Sequence, residues 1–272
     1  MTSSDHSTGN ENQVADVYLQ GIHKSFGDGK YPVLRGIDLR FPAGKLTYIL
    51  GPSGAGKSVI LKHILGLLQP DEGEVWVAGT ALSSLRGGEL ASHRKIFGML
   101  FQNSALFDDM TIFENIAFPL REHTDFSEAE IERRVTQTLA ILGMTTGFDK
   151  FPNELSGGMK KRVGLARAII REPRILLYDE PTTGLDPVTR TTVDELIETL
   201  KRELNLTSIV ISHDIPSALL LADQIAFLHG GKIVFWGVPE EFKKSDHPAI
   251  RAFLEAEERG VRAFEAVKNS KS

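Results

Sequence analysis

Apolar positions along the chain change period several times, and each period predicts an element. Between Val14 and Phe41 short alternating runs, VYLQGI and VLRGIDLRF, flank a Gly27-Asp28-Gly29 turn, which predicts short strands of an antiparallel layer. Gly73 to Gly79 (GEVWVAG) adds a strand between glycines, and Lys45 to Leu50 is a short apolar run. Ile175 to Tyr178, Ser208 to Ile211 and Ile225 to Leu228 are apolar without alternation, as strands buried on both faces are. Helical spacing covers Lys57 to about Leu68, Glu128 to Leu142 (Ile131, Val135, Leu139, Leu142) and Gly157 to Ile170 (Met159, Val163, Ala166, Ile170). Further helices are expected at Pro187 to Leu204 and Pro216 to Leu221. Strand–helix alternation of this kind makes an α/β fold with a parallel sheet covered on both faces. His229-Gly-Gly-Lys leading into IVFWG predicts a hairpin. Pro248 to Lys268 reads as an added helix, with Ile250, Phe253, Leu254, Val261, Phe264 and Val267 near one face. The expected organisation is a disordered lead over residues 1–14, one domain over 15–242, and a helical extension over 243–272.

Composition narrows the function. The 31 Lys and Arg against 36 Asp and Glu give a net charge of −5, which argues against a general nucleic-acid coat. The absence of Cys excludes a disulfide framework, a thiol nucleophile and Cys-ligated metal. The longest stretch without a Lys, Arg, Asp or Glu, Val135 to Phe148, is too short and too polar to span a bilayer, and so is Ile96 to Phe107. The first fifteen residues carry no apolar core, so no signal peptide is expected there, and a cytoplasmic location is.

Gly51-Pro52-Ser53-Gly54-Ala55-Gly56-Lys57-Ser58 fits G-x-x-x-x-G-K-[ST] between an apolar strand and a helix. The glycines let backbone amides turn inward around an anion, and the following helix aims its N-terminus at the same place. Lys57 supplies a full charge for β- and γ-phosphates, and the Ser58 hydroxyl is a ligand for Mg²⁺. Ile175-Leu-Leu-Tyr-Asp179-Glu180 carries an apolar strand into two carboxylates, at the strand end where α/β sheets bind ligands. Asp179 is placed to hold Mg²⁺ through water, and Glu180 to polarise an attacking water. Together these segments describe a nucleotide hydrolase that takes ATP with Mg²⁺.

Leu155-Ser156-Gly157-Gly158-Met159 is more discriminating. Ser N-caps a helix opened by two glycines, exposing amides, although Lys160, Lys161 and Arg162 in the first turn oppose the helix dipole. With these residues the chain resembles the ATPase subunits of ATP-binding cassette (ABC) transporters, whose signature is LSGGQ; Met159 departs at the last position. The resemblance implies a RecA-like P-loop NTPase core with an antiparallel β layer and a helical signature subdomain, here at about residues 105–170. It implies a head-to-tail dimer in which Ser156, Gly157 and Gly158 contact the nucleotide held by the second copy. Gln102 matches the glutamine that senses Mg²⁺ and the attacking water, His213 the switch histidine on the γ-phosphate, and Asp186 in GLDP a contact across the dimer. Asp186 before Pro187 is equally a helix N-cap. Phe26 would stack on adenine, with Tyr18 and Tyr31 nearby.

The stretch after Gln102, NSALFDDMTIFENIAFPLREHT, resembles the MlaF-type subgroup that powers bacterial lipid transport, in which a signature ending in Met is common. Leu106, Phe107, Met110, Ile112 and Phe113 offer apolar surface to a partner helix. The resemblance implies an MlaE-type membrane permease, an MlaD-type MCE lipid-binding protein and an MlaB-type STAS-domain protein as partners, and a place on the cytoplasmic side of the inner membrane. Another cargo, or a soluble cassette ATPase, remains the alternative. The extension from Pro248 is expected to dock on a partner or the second copy.

Overall fold

The computed structural model describes residues 16–269, with the backbone alone at 258 and over 260–269. The expected lead over 1–14, and the apolar stripe at Val261, Phe264 and Val267, lie outside what is described. In chain order the elements are β1 (Val17–Phe26), β2 (Tyr31–Phe41), β3 (Leu46–Leu50), α1 (Lys57–Ile64), β4 (Glu72–Val77), β5 (Thr80–Ala81), α2 (Gly87–His93) and β6 (Phe97–Leu100). There follow α3 (Ile112–His123), α4 (Glu128–Ile141), α5 (Gly157–Ile169), β7 (Ile175–Asp179), α6 (Pro187–Leu204), β8 (Thr207–Ser212), α7 (Ile215–Leu221), β9 (Gln224–His229), β10 (Lys232–Gly237), α8 (Pro239–Lys243) and α9 (Pro248–Asn269).

The central sheet has the order β10-β9-β3-β8-β7-β6, parallel except for β10. Its two faces follow from strand alternation. Tyr48 and Leu50, Leu176 and Tyr178, Val210, and Ile225 and Phe227 join the core beneath α3 to α7. Their neighbours Ile49, Leu177, Ile209, Ile211, Ala226 and Leu228 join the core shared with α1 and the antiparallel sheet. Both faces are buried, which is why these strands read as unbroken apolar runs.

The antiparallel sheet runs β2-β1-β4-β5. Its first strand is one ten-residue element, longer than the sequence pattern suggests, because Gly21 (φ +58°) marks a β-bulge between Leu19 and Ile22 and not a turn. The bulge brings carbonyls close to β4. A Cβ at Gly73 (φ +92°) would lie 2.4 Å from the oxygens of Gln20 and Gly21, so only glycine fits there. Helix α1 stops at Ile64, short of Leu68. Gly66 (φ +62°) ends it, with the Gly66 and Leu67 amides donating back to His63 and Lys62 carbonyls as in a Schellman cap.

Helices α3, α4 and α5 surround Ile116, Leu120, Ile131, Val135, Leu139 and Val163 in one core. A capping box sets the start of α3: the Glu114 amide donates to Thr111 Oγ1, and Glu114 Oε2 accepts from the Thr111 amide at 2.7 Å. The start of the C-terminal extension is part of the core. Ile250 is fully buried, and the Phe253 ring lies 5.1 Å from Phe227 on β9. Removal of the chain from Pro248 would therefore expose the sheet as well as any docking surface. Ile250→Ala is expected to lower the unfolding free energy by about 2–5 kcal/mol in a denaturant melt, whereas a surface residue would change it by less than about 0.5 kcal/mol.

Candidate active site

The carboxyl ends of β3, β8 and β7, adjacent in the sheet, bring together the loop after Leu50, His213 and the Asp179–Glu180 pair. Two glycines shape the loop. A Cβ at Gly51 (φ +156°) would meet the Leu228 carbonyl at 2.4 Å, and one at Gly56 (φ +107°) would meet Val33 Cγ1 on β2 at 2.9 Å. Gly56 also N-caps α1 without any side-chain acceptor, so no side chain competes for the first amides of the helix. Pro52, Ser53 and Gly54 are exposed at the loop, Ala55 is half-buried, and Ser58 is exposed on the first turn of α1.

Lys57 folds back over this loop and is buried. Its Nζ donates to the carbonyls of Gly51 (2.8 Å) and Pro52 (3.2 Å) and lies 3.5 Å from Glu180 Oε1. Burial pulls its pKa down, and the Glu180 carboxylate opposes that shift. Glu180 has a left-handed backbone (φ +47°), an unfavourable state for this residue, held by its amide donating to the Ile211 carbonyl at 2.9 Å. Its Oε2 accepts from Thr183 Oγ1 at 2.9 Å and meets His213 Nδ1 at 2.8 Å. Glu180 Oε2 accepts the hydrogen carried on Nδ1, and the rest of the imidazole is exposed at the mouth of the site. Burial raises the pKa of Asp179, and the neighbouring Glu180 charge raises it further.

The carbonyl of Gln102, just beyond β6, accepts from Lys161 Nζ, while its side chain is exposed. Ser156 N-caps α5, its Oγ accepting from the Met159 amide at 3.3 Å. Gly157 and Gly158 let this turn pack on the start of α6: Cβ atoms there would lie 3.6 Å from Leu185 and 3.1 Å from Thr189. Asp186 caps that start, accepting from the amides of Val188 (3.0 Å) and Thr189 (3.1 Å), so the N-cap reading of GLDP holds. Among the described residues, no hydrogen bond or ion pair joins Ser156, Gly157 or Gly158 to the Gly51–Ser58 loop. Phe26 is 41% exposed at the tip of the β1–β2 hairpin, paired with the more exposed Tyr31, whereas Tyr18 pairs with Arg40, nine positions along β2 from Tyr31.

Several supporting residues escape the sequence reading. Lys161 is buried against Gln102, and Arg162 caps the Leu142 carbonyl. Next to His213, the buried Asp214 accepts from Thr182 Oγ1 (3.0 Å) and the Ser217 amide (3.2 Å) and pairs with Arg190 Nε at 3.3 Å. Ser217 Oγ donates to Asp194 Oδ2 at 2.7 Å. The signal available was a cation in the wrong turn of a helix, which needs a partner to stay there.

Burial pushes the Asp194 carboxyl up to about 6, and the charge on Asp214 adds to the shift. A carboxyl raised on folding contributes its stability below its unfolded pKa and loses it as pH rises through the folded value. Asp194→Asn is therefore expected to raise the melting temperature at pH 8 and to leave it nearly unchanged at pH 4. Equal shifts at both values would contradict this assignment.

The family model described as ABC transporter matches residues 34–183. The probable ribonucleotide transport ATP-binding protein mkl of Mycobacterium tuberculosis is 41% identical over 238 residues, 88% of this chain and 66% of that protein. The chain thus spans a little under two thirds of that relative's length. The intermembrane phospholipid transport system ATP-binding protein MlaF of Haemophilus influenzae is 40% identical over 240 residues, 88% of this chain and 91% of that protein. Among solved structures, the dimeric ATP-binding cassette MJ0796 bound to ADP and Pi has a TM-score of 0.74 at 31% identity, covering 82% of this chain and 98% of that chain. The phosphate loop, the acidic strand end and the LSGGM turn thus sit on a matching fold, and the chain belongs to the ABC transporter family.

Proposed function

We propose that the chain is the ATP-binding and ATP-hydrolysing subunit of an ABC transporter that moves phospholipid between the inner and outer membranes of a Gram-negative bacterium. The observation that carries the hydrolytic reading is the chain of contacts from Lys57 through Glu180 to His213, at the mouth of the phosphate loop. The lipid reading rests on likeness to the phospholipid-transport relative over most of both chains. A second reading, a different cargo, is favoured by the ribonucleotide transport in the mycobacterial relative's name.

In this reading ATP and water become ADP and phosphate: the water oxygen bonds to the γ-phosphorus as the bond to the β–γ bridging oxygen breaks. Lys57 and the loop amides, with Gly51, Gly54 and Gly56 allowing their approach, neutralise charge on the transferring group. Glu180 accepts hydrogen from the attacking water, and His213 keeps that carboxylate in line and contacts the γ-phosphate. Ser58, Gln102 and Asp179 are hard oxygen donors suited to Mg²⁺; burial and the Glu180 charge raise the pKa of Asp179 against the pull of Lys57, Lys161 and Lys62, and a bound cation would favour its charged form. When bound, that ion would offset charge on the β- and γ-oxygens.

Ser156, Gly157, Gly158 and Asp186 serve the nucleotide of a second copy in a head-to-tail dimer, and Phe26 stacks on adenine. The helical subdomain at about 105–170 couples closure to an MlaE-type permease, in a complex with MlaD-type and MlaB-type proteins. The extension from residue 243 docks on a partner or on the second copy. No helix among the described residues is long and apolar enough to cross a membrane, and the proposed location is peripheral, on the cytoplasmic side of the inner membrane through the permease.

Glu180→Gln is expected to bind ATP, to lose turnover by about 10²-fold or more, and to accumulate an ATP-dependent dimer by size-exclusion chromatography. Full turnover in this variant would exclude the role. Lys57→Ala should abolish tight binding of a fluorescent ATP analogue, and wild-type affinity would remove Lys57 from the site.

A further inference from the structure

The loop between β6 and α3 carries Gln102 at one end and the apolar residues from Leu106 at the other. Its middle is conformationally costly. Ser104 (φ +59°) and Ala105 (φ +47°) are consecutive non-glycine residues in the left-handed region. Each such residue costs of order 1 kcal/mol or more and persists only when its surroundings enforce it. Neither side chain is an Asn or Asp that would favour this state.

The enforcing group is on α5. Arg167 Nη2 donates to the carbonyls of Ser104 (2.9 Å) and Ala105 (2.8 Å), the two left-handed residues themselves. Its guanidinium lies 5.5 Å from the centroid of the Phe107 ring, a cation–π contact, and Nη1 reaches Asn115 Oδ1 at 3.5 Å. Among the described residues no carboxylate pairs with it, and burial lowers its pKa. A desolvated cation whose bonds go to backbone carbonyls spends its charge on holding that backbone.

The rest of the α5 face is built for the same contact. Lys161, Gly164 and Arg167 lie at i, i+3 and i+6 on one face. Lys161 Nζ holds the Gln102 carbonyl. A Cβ at Gly164 would lie 3.0 Å from Ser104 Cβ and 2.9 Å from Leu100 Cδ1, so the glycine lets the loop lie against the helix. Opposite, the buried Asn115 side chain accepts from the Phe107 amide at 2.8 Å and donates to the carbonyls of Phe107 and Met110 at 3.0 Å.

We propose that Arg167 is a positioning residue for ATP hydrolysis: it holds Ser104 and Ala105 in the left-handed conformation that sets where Gln102 stands. This rests on the reading above that Gln102 serves the nucleotide. Lysine cannot replace it, because one ammonium lacks the planar fork that spans two successive carbonyls.

The test is the steady-state ATPase of the full-length chain in its native assembly, with thermal melting and binding of a fluorescent ATP analogue on each variant. Arg167→Met should lower kcat about tenfold while KM for ATP and analogue affinity stay within about twofold, because binding rests mainly on Lys57 and the amides of the Gly51–Ser58 loop. Arg167→Lys should recover little of that loss. Ser104→Gly with Ala105→Gly in the Arg167→Met background should recover most of it, because glycine adopts positive φ without a clamp. Ala105→Val, which leaves Arg167 in place and makes positive φ costly, should reproduce the loss of kcat should the Met variant fail to fold. Wild-type kcat in Arg167→Met or in Ala105→Val, or no recovery by the glycine pair in a folded protein, would overturn the proposal. Gln102→Ala separates the two levels. If it has wild-type kcat, the reading of Gln102 fails; if it is slow while Arg167→Met is not, the positioning role fails.

Discussion

The site depends on keeping the ammonium of Lys57 charged in a place with little water. Removing an ammonium ion from solvent costs several kcal/mol even after the protein relaxes, unless good geometry returns it. Here the return comes from the Gly51 and Pro52 carbonyls and from Glu180. Each of those partners imposes a condition on the fold. Gly51 must carry no Cβ, because the Leu228 carbonyl occupies that space. Glu180 must reach across from another strand, which requires that β8 lie between β3 and β7 with all three carboxyl ends level. His213 then stands at the end of the middle strand, within hydrogen-bond reach of Glu180.

These conditions explain which parts were legible in the sequence. The parallel strands are, because burial on both faces leaves an unmistakable apolar run, and the phosphate loop is, because its glycines and Lys57 act within one local segment. The Pro187–Leu204 helix is marked at its start by Asp186 and Pro187 and confirmed there. Edges are harder. Strand β6 is four residues on the sheet margin, and α3 carries Pro119 in its interior, which propensity alone counts against a helix. Tertiary packing of Ile112, Ile116 and Leu120 outweighs it.

What the sequence hides is the wiring between distant segments. Lys161 and Gln102 are 59 residues apart, and Arg167 and Ser104 are 63 apart. Nothing in a first-turn KKR run says that the middle cation turns inward while the next caps a carbonyl of another helix. Asp214 shows the same limit. It stands beside a histidine at a strand end and N-caps α7, and its other oxygen joins Thr182 and Arg190 and so ties the end of β8 to the loop after β7 and to α6.

Backbone strain links these observations. Asp28 and Asn205 also have positive φ, but short polar side chains in turns tolerate it. Ala78, Glu172, Glu180, Ser104 and Ala105 lack an Asn or Asp side chain, and the last three are restrained by groups from another element: the Ile211 carbonyl and His213 for Glu180, Arg167 for the loop pair. A strained residue held from outside responds to movement of whatever holds it, whereas a relaxed one does not. The holders are a strand end and the helix that begins at Ser156. A displacement of α5 relative to the sheet would therefore shift the carbonyls beside Gln102 before it disturbed the phosphate loop, whose shape is fixed by glycine and by the sheet itself. The Gly51–Ser58 loop thus takes its shape from glycine and the sheet, whereas the backbone beside Gln102 takes its shape from side chains of α5.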